Sequence, residues 1–109
     1  MTDFGLSPAV LSALRQVFAQ SPCVESVKIF GSRAKGSYHD RSDIDLVAYG
    51  ENLDRFTIAA LLQSLDETDI PYQIDLQDYQ GLKNSKLIDH IDRVGVEVYR
   101  RGKSDNASN

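Results

Sequence analysis

A chain of 109 residues that is 41% hydrophobic and 26% charged has the length and composition of one ordinary globular domain. Its net charge of −4 argues against a broad nucleic-acid-binding surface, and its single cysteine excludes an internal disulfide and a cysteine-based zinc site. No apolar run approaches the ~20 residues of a membrane span, and the N-terminus lacks the features of a signal peptide, so we expect a cytoplasmic protein with no membrane and no direct nucleic-acid partner.

Three stretches with apolar residues at helical spacing are predicted to be helices. The first begins at Ser7-Pro8, because Ser7 can cap the helix N-terminus and Pro8 has no N–H to leave unpaired. The second is capped by Asp54. The third is capped by Asn84 or Ser85 and ends at Gly95, a residue type common at helix C-termini.

Four apolar runs bounded by turn residues are predicted to be strands, over residues 24–30, 43–49, 72–76 and 96–100. The link between the first two holds only a helical turn and a polar loop, so these strands should be antiparallel neighbours. The order of elements predicts one α/β (α+β) domain over residues 1–100, a small mixed sheet of about four strands with helices packed on it. Residues 101–109 are expected to form a disordered polar tail.

Two aspartates one residue apart, Asp43 and Asp45, open the predicted second strand, where alternation points both to one face. At ~4 Å and an effective dielectric of ~20 two carboxylates repel by about 4 kcal/mol, so such a pair either binds a cation or faces water. If the third strand lies beside the second, Asp75 completes a three-carboxylate cluster; Asp78 fits this pattern less well. Oxygen ligands of this kind suit Mg²⁺ or Mn²⁺.

A Gly-Ser pair, Gly31-Ser32, ends the first predicted strand. Glycine allows a sharp turn and a close approach to a ligand, and the following backbone N–H groups with the Ser32 hydroxyl can hold phosphate oxygens. Arg33 and Lys35 follow in the same turn and are either charged donors to a nucleotide phosphate or a solvated basic edge. His90, on the third helix, is interpreted as a surface residue.

The combination of Gly31-Ser32, ten residues and Asp43-Ile44-Asp45 resembles the signature of the DNA polymerase β-like nucleotidyltransferase superfamily. The longer string GSRAKG…SDIDL is similar to its minimal nucleotidyltransferases, small prokaryotic antitoxins that accompany HEPN-domain ribonuclease toxins. The resemblance covers about residues 7–100. It implies that Asp43, Asp45 and Asp75 are the catalytic, metal-binding carboxylates and that Gly31 and Ser32, with Arg33 beside them, bind the nucleotide.

The same resemblance implies the reaction. Two Mg²⁺ ions would assist transfer of AMP from ATP to a hydroxyl, and Asp75 would lie near the acceptor and could take its proton. In the antitoxin group the acceptor is a tyrosine of the cognate HEPN toxin, so the leading hypothesis is a protein adenylyltransferase that silences its toxin within a hetero-oligomer. Two alternatives stay open: an antitoxin that neutralises by binding alone, and an enzyme that modifies a small molecule such as an aminoglycoside.

Overall fold

The computed structural model describes residues 4–102. Within them lie the predicted helices and strands, the third strand two residues later than predicted, and one additional 3₁₀ turn at Tyr79–Gly81. The helices are α1 (Pro8–Ala19), α2 (Gly31–Lys35), α3 (Arg55–Asp66) and α4 (Ser85–Val94), and the strands are β1 (Ser26–Phe30), β2 (Ile44–Tyr49), β3 (Ile74–Asp78) and β4 (Val96–Arg100). The tail predicted over residues 101–109 lies, beyond Arg101 and Gly102, outside the described residues.

The four strands form one mixed sheet in the order β3-β2-β1-β4. Strand β1 pairs antiparallel with β2, as the short link between them predicts, and antiparallel with β4. Strand β2 pairs parallel with β3, which is possible because α3 lies between them in sequence and provides the long crossover that a parallel return needs. The predicted fold class, a mixed α/β sheet of four strands carrying helices, is confirmed.

Both faces of the sheet are covered, and the two faces of β2 differ in what they contribute. Ile44, Leu46 and Ala48 lie in the main core, which α1 and α3 complete with Phe18 and other apolar side chains. Val47 lies in a smaller core on the opposite face, under α4. Since strand side chains alternate, an aspartate at position 45 lies on the α4 face.

Gly95 ends α4 as predicted, but for a different reason than a left-handed turn. Its φ is −62°, a conformation open to any residue. A Cβ at this position would lie 2.6 Å from the carbonyl oxygen of Ile91 and 3.2 Å from Cδ of Lys28. The glycine is therefore required by lack of space against the backbone of the last turn of α4, with the Lys28 side chain of β1 close by.

Asn84, rather than Ser85, caps α4: its Oδ1 accepts hydrogen bonds from the N–H groups of Lys86 at 3.0 Å and Leu87 at 3.2 Å. We expect Asn84→Ala to lower the free energy of unfolding by about 1 kcal/mol, because two backbone donors lose their acceptor. Urea denaturation measures the change, with Ser85→Ala at the adjacent exposed position as the matched control. Equal stability of the two variants would contradict the cap.

In the part of the chain that the structure describes, helices stay too short and too polar to cross a bilayer. The longest helices, α1 and α3, have 12 residues each. A membrane-spanning helix needs about 20.

Candidate active site

The sheet register places the predicted site residues in one row across three strands. Phe30, at the end of β1, pairs with Asp45 of β2, and Asp45 pairs in turn with Asp75 of β3. Gly31 follows Phe30 directly, and Asp43 precedes β2 by one residue. The turn after β1, the beginning of β2 and the beginning of β3 therefore meet at one end of the sheet.

The same register separates the two candidates for the third aspartate. Asp78 pairs with Ala48, three residues farther along β3, and its Oδ1 accepts a hydrogen bond from the N–H of Gln80 at 3.2 Å. That contact caps the 3₁₀ turn. Asp75 is thus the aspartate that the fold brings beside Asp45.

Asp45 occupies the centre of this row and is half-buried, whereas Asp43 and Asp75 are exposed. Burial raises the pKa of Asp45 above its ordinary value, and the negative charges of Asp75 and Asp43 raise it further. His90 acts in the opposite direction and lowers it. The three carboxylates thus act on one another electrostatically, which favours a cation among them.

The carboxylates are neighbours, but they do not form a ready-made metal cage. Among residues 4–102, no three acidic, histidine or cysteine side chains are arranged closely enough to hold a metal ion. The Oδ2 atom of Asp75 accepts a hydrogen bond from Nε2 of Gln77 at 3.0 Å, which gives it a partner other than Asp45. Three anions that repel one another are expected to turn apart in this way. The oxygen donors fit a hard divalent cation, and closing the site requires rotation of the two exposed carboxylates.

The raised pKa of Asp45 leads to a stability prediction. Ionising this carboxyl in the folded protein costs free energy, so the penalty is absent below the ordinary carboxyl pKa and grows as pH rises through the raised one. We expect Asp45→Asn to raise the free energy of unfolding at pH 7 by less than about 1 kcal/mol, because partial exposure screens the charge.

Denaturation of Asp45→Asn at two pH values tests this prediction. The gain should disappear at about pH 2 to 3, below the ordinary carboxyl pKa, because the carboxyl is then neutral in the folded and the unfolded chain alike. Asp40→Asn, in the exposed loop before β2, is the matched control and should change stability little at either pH. A loss of stability in Asp45→Asn at pH 7 would overturn the argument.

Gly31 is in contact with the central carboxylate. Its φ is +72°, in the left-handed region that favours glycine, and a Cβ built on it would fall on Oδ2 of Asp45. Ser32 follows in the first turn of α2, which ends at Gly36, also with a positive φ. The predicted phosphate-binding turn and the predicted carboxylates therefore form one continuous site.

His90 belongs to this site, so its interpretation as a surface residue is wrong. Its Nε2 accepts a hydrogen bond from the backbone N–H of Gly31 at 3.3 Å, and its ring packs edge-on against Phe30 at 6.1 Å between centroids. The signal was in the sequence: Leu87, His90, Ile91 and Val94 follow the i, i+3, i+4, i+7 spacing of one helix face. That face packs on the sheet.

The side chain of Arg33 does not line the turn as predicted and is instead turned into the interior. It is 1% exposed, and its guanidinium donates hydrogen bonds to the carbonyl oxygens of Ser42 and Phe4. A planar group with five donors is satisfied by carbonyls, and two loops supply them here. A direct contact of this side chain with nucleotide is therefore corrected to a contact within the protein. Lys35, at the end of α2, is exposed.

Comparisons with known proteins agree with this geometry. Residues 12–104 match the family model described as Polymerase beta, Nucleotidyltransferase. A relative from Haemophilus influenzae (strain ATCC 51907 / DSM 11121 / KW20 / Rd), named "Probable protein adenylyltransferase MntA", is 33% identical over 108 residues, which is 95% of this chain and 94% of the relative. The similarity of sequence thus extends over almost the whole chain.

Among the solved structures that share the fold are two toxin–antitoxin complexes. One is a chain in a crystal structure of a toxin–antitoxin with AMP-PNP, with a TM-score of 0.67 and 22% identity over 94% of this chain and 80% of that chain. The other is a chain in the complex of a tri-AMPylated Shewanella oneidensis HEPN toxin with an MNT antitoxin. It has a TM-score of 0.64 and 18% identity over 91% of this chain and 76% of that chain.

Proposed function

The chain belongs to the polymerase β nucleotidyltransferase family, and from this we propose that it transfers AMP from ATP to a tyrosine hydroxyl of a cognate HEPN-domain toxin, as its antitoxin. The observation that carries the proposal is the contact between the Gly31 turn and Asp45, with Asp75 paired beside it. The related adenylyltransferase and the fold shared with a chain of an AMPylated toxin complex support the same reaction.

In this proposal the nucleotide lies along the end of the sheet. The Ser32 hydroxyl and the backbone N–H groups of the Gly31-Ser32 turn donate hydrogen bonds to the phosphate oxygens of ATP. The N–H of Gly31 has His90 as its acceptor in the free protein, so a phosphate oxygen that binds there replaces that contact or shares the N–H with it. The N–H of Gly31 therefore has an acceptor both before and after the nucleotide binds, and it is never left unpaired.

Asp43, Asp45 and Asp75 would hold two Mg²⁺ ions, which, when bound, neutralise phosphate charge and clamp the attacking and leaving oxygens. The donor set supports this assignment, since carboxylate oxygens are the ligands that Mg²⁺ prefers. Burial and the two neighbouring carboxylates raise the pKa of Asp45, and a bound cation would favour its ionised form.

The acceptor enters from the side of β3. This strand is an edge of the sheet, and Asp75 on it is exposed, so a hydroxyl carried by another protein can reach its carboxylate. Asp75 takes the hydroxyl proton as the oxygen attacks the α-phosphorus of ATP. The new oxygen–phosphorus bond forms as the bond to the bridging oxygen breaks, and pyrophosphate leaves with that electron pair.

The proposal extends to the domain, the partner and the cellular location. Residues 1–100 form the catalytic domain, and the acceptor comes from the toxin within a hetero-oligomer. The reaction takes place in the cytoplasm, where ATP and Mg²⁺ are both plentiful.

The deciding experiment uses ATP labelled at the α-phosphate, with Mg²⁺, in the presence and absence of the HEPN-type product of the neighbouring gene. We expect label on the toxin, none with ATP labelled at the γ-phosphate, and none when the acceptor tyrosine is replaced by phenylalanine. Complex formation without label would favour neutralisation by binding. Label on an aminoglycoside, with none on the toxin, would favour the small-molecule enzyme.

A further inference from the structure

We propose that Arg33 is a positioning residue whose buried guanidinium fixes the loop that carries Asp43 against the phosphate-binding turn. Its consequence for catalysis rests on the proposed function, but the positioning itself is a property of the protein without nucleotide or metal. The Arg33 side chain follows the Gly-Ser pair but is buried, so it does not point toward a nucleotide bound at that turn.

The guanidinium binds one peptide group with two of its nitrogens. Nε and Nη2 donate to the carbonyl oxygen of Ser42 at 3.1 and 2.8 Å, and Nη1 donates to the carbonyl oxygen of Phe4 at 2.8 Å. The Ser42 carbonyl and the Asp43 nitrogen belong to the same planar peptide unit. Holding that oxygen by two donors therefore sets the plane from which the Asp43 side chain departs.

The loop leading to Asp43 is itself closed into a tight turn that ends at the held carbonyl. The N–H of His39 donates to Oγ of Ser42 at 2.9 Å, and the N–H of Ser42 donates to the carbonyl oxygen of His39 at 3.0 Å. Ser42 is 9% exposed although the loop is polar. Arg33 thus fastens a preformed turn rather than a loose segment.

Two aromatic rings hold the guanidinium in place. Its carbon lies 5.2 Å from the ring centroid of Tyr38 and 4.5 Å from that of Tyr72, both within cation–π range. Tyr38 belongs to the loop before Asp43, and Tyr72 lies two residues before β3, the strand of Asp75. One side chain therefore joins α2, the loop before β2 and the approach to β3.

The need to fill space in the interior does not account for this arrangement. Burying a cation carries a large desolvation cost, and an apolar residue of similar size would fill the space at lower cost. Only the fork of a guanidinium can hold one carbonyl with two donors while bonding a second. The geometry is suited to fixing a peptide plane, which a hydrophobic side chain cannot do.

Hydrogen exchange of the free protein tests the positioning directly. In Arg33→Lys, which keeps the charge but loses the fork, and in Arg33→Met, which keeps the stem, we expect residues 39–43 to exchange about tenfold faster or more. The amide of Ile44, bonded to the carbonyl oxygen of Gln73 at 2.9 Å, should keep its protection. Unchanged exchange over residues 39–43 in the folded variants would overturn the proposal.

The matched control is Arg15→Lys. Nε of Arg15 donates to the carbonyl oxygen of Val98 at 2.9 Å, so this variant also loses a guanidinium–carbonyl bond, on β4 at the other edge of the sheet. It should leave exchange over residues 39–43 unchanged. If both Arg33 variants fail to fold, Tyr72→Leu, which removes one ring and keeps every guanidinium donor, decides: faster exchange over 39–43 supports the proposal and wild-type exchange overturns it.

The catalytic consequence has its own readout. In Arg33→Lys we expect the Mg²⁺ concentration for half-maximal AMP transfer to rise about tenfold, while KM for ATP at saturating Mg²⁺ changes less than about threefold. A uniform loss of activity at every Mg²⁺ concentration would point to fewer folded molecules and would count against positioning. If the wild-type protein itself transfers no AMP, the proposed function fails, whereas the exchange result still decides the role of Arg33.

Discussion

Replacing Asp43 and Asp45 together by alanine is expected to reduce AMP transfer by about 10³-fold or more while the protein stays folded. The two carboxylates are two of the three proposed ligands for the cations that would neutralise charge on the reacting phosphate, and such charge stabilisation is a large part of catalysis. Folding should survive because Asp43 is exposed and because removal of Asp45 relieves the burial and the repulsion that raise the pKa of this carboxyl. Label transfer and thermal melting measure the two effects.

The matched control replaces two acidic residues outside the row, Asp40 and Glu51, both exposed. That variant has the same net charge as the site variant and should transfer AMP at the wild-type rate. Unchanged transfer by Asp43→Ala plus Asp45→Ala would remove both aspartates from the catalytic site. If the inactive site variant still protected cells from the toxin, binding alone would suffice for neutralisation.

Gly31→Ala is expected to combine a loss of stability of about 1–3 kcal/mol with a loss of transfer of at least about 100-fold. An alanine at position 31 would have a strained backbone, at φ +72°. Its methyl group would be directed onto the Asp45 carboxylate. Asp45 must move, and a displaced carboxylate would no longer hold a cation where the proposed reaction needs it. Urea denaturation and single-turnover transfer separate the two losses.

Gly36→Ala is the matched control for this prediction. Gly36 has φ +84°, so alanine there meets the same backbone strain, but a Cβ would have no atom of the described residues within 4 Å. Its stability loss should be about 1 kcal/mol, with transfer nearly unchanged in the folded fraction. Equal activity losses in the two variants would show that contact with Asp45 is not what makes glycine necessary at position 31.

The row of site residues was only partly predictable from the sequence. Alternation along a strand places Asp43 and Asp45 on one face, and a Gly-Ser pair after an apolar run marks a turn. The position of Asp75 depends on which strand β3 joins, in which direction and at which register. Those features follow from the packing of α3 across the sheet, which no local pattern encodes.

The two residues whose surroundings were predicted wrongly, His90 and Arg33, have partners that are distant in the chain. His90 contacts Gly31, 59 residues away, and Arg33 contacts Phe4, 29 residues away, and the ring of Tyr72. A histidine on an apolar helix face is visible as a pattern, but its partner is set by how α4 lies on the sheet. An arginine beside a Gly-Ser pair predicts phosphate binding, and only the tertiary structure offers it carbonyls instead.

The parallel pairing of β2 with β3 gives the proposed reaction a spatial order. In the proposed reaction, the strands from β1 to the sheet edge at β3 would present in turn the turn that binds the triphosphate, the central carboxylate and the carboxylate nearest the acceptor. Nucleotide recognition would then depend on the interior strands β1 and β2, and the choice of acceptor on the edge strand β3. Such a division lets the surface around β3 adapt to a new target protein while the machinery that handles ATP stays unaltered.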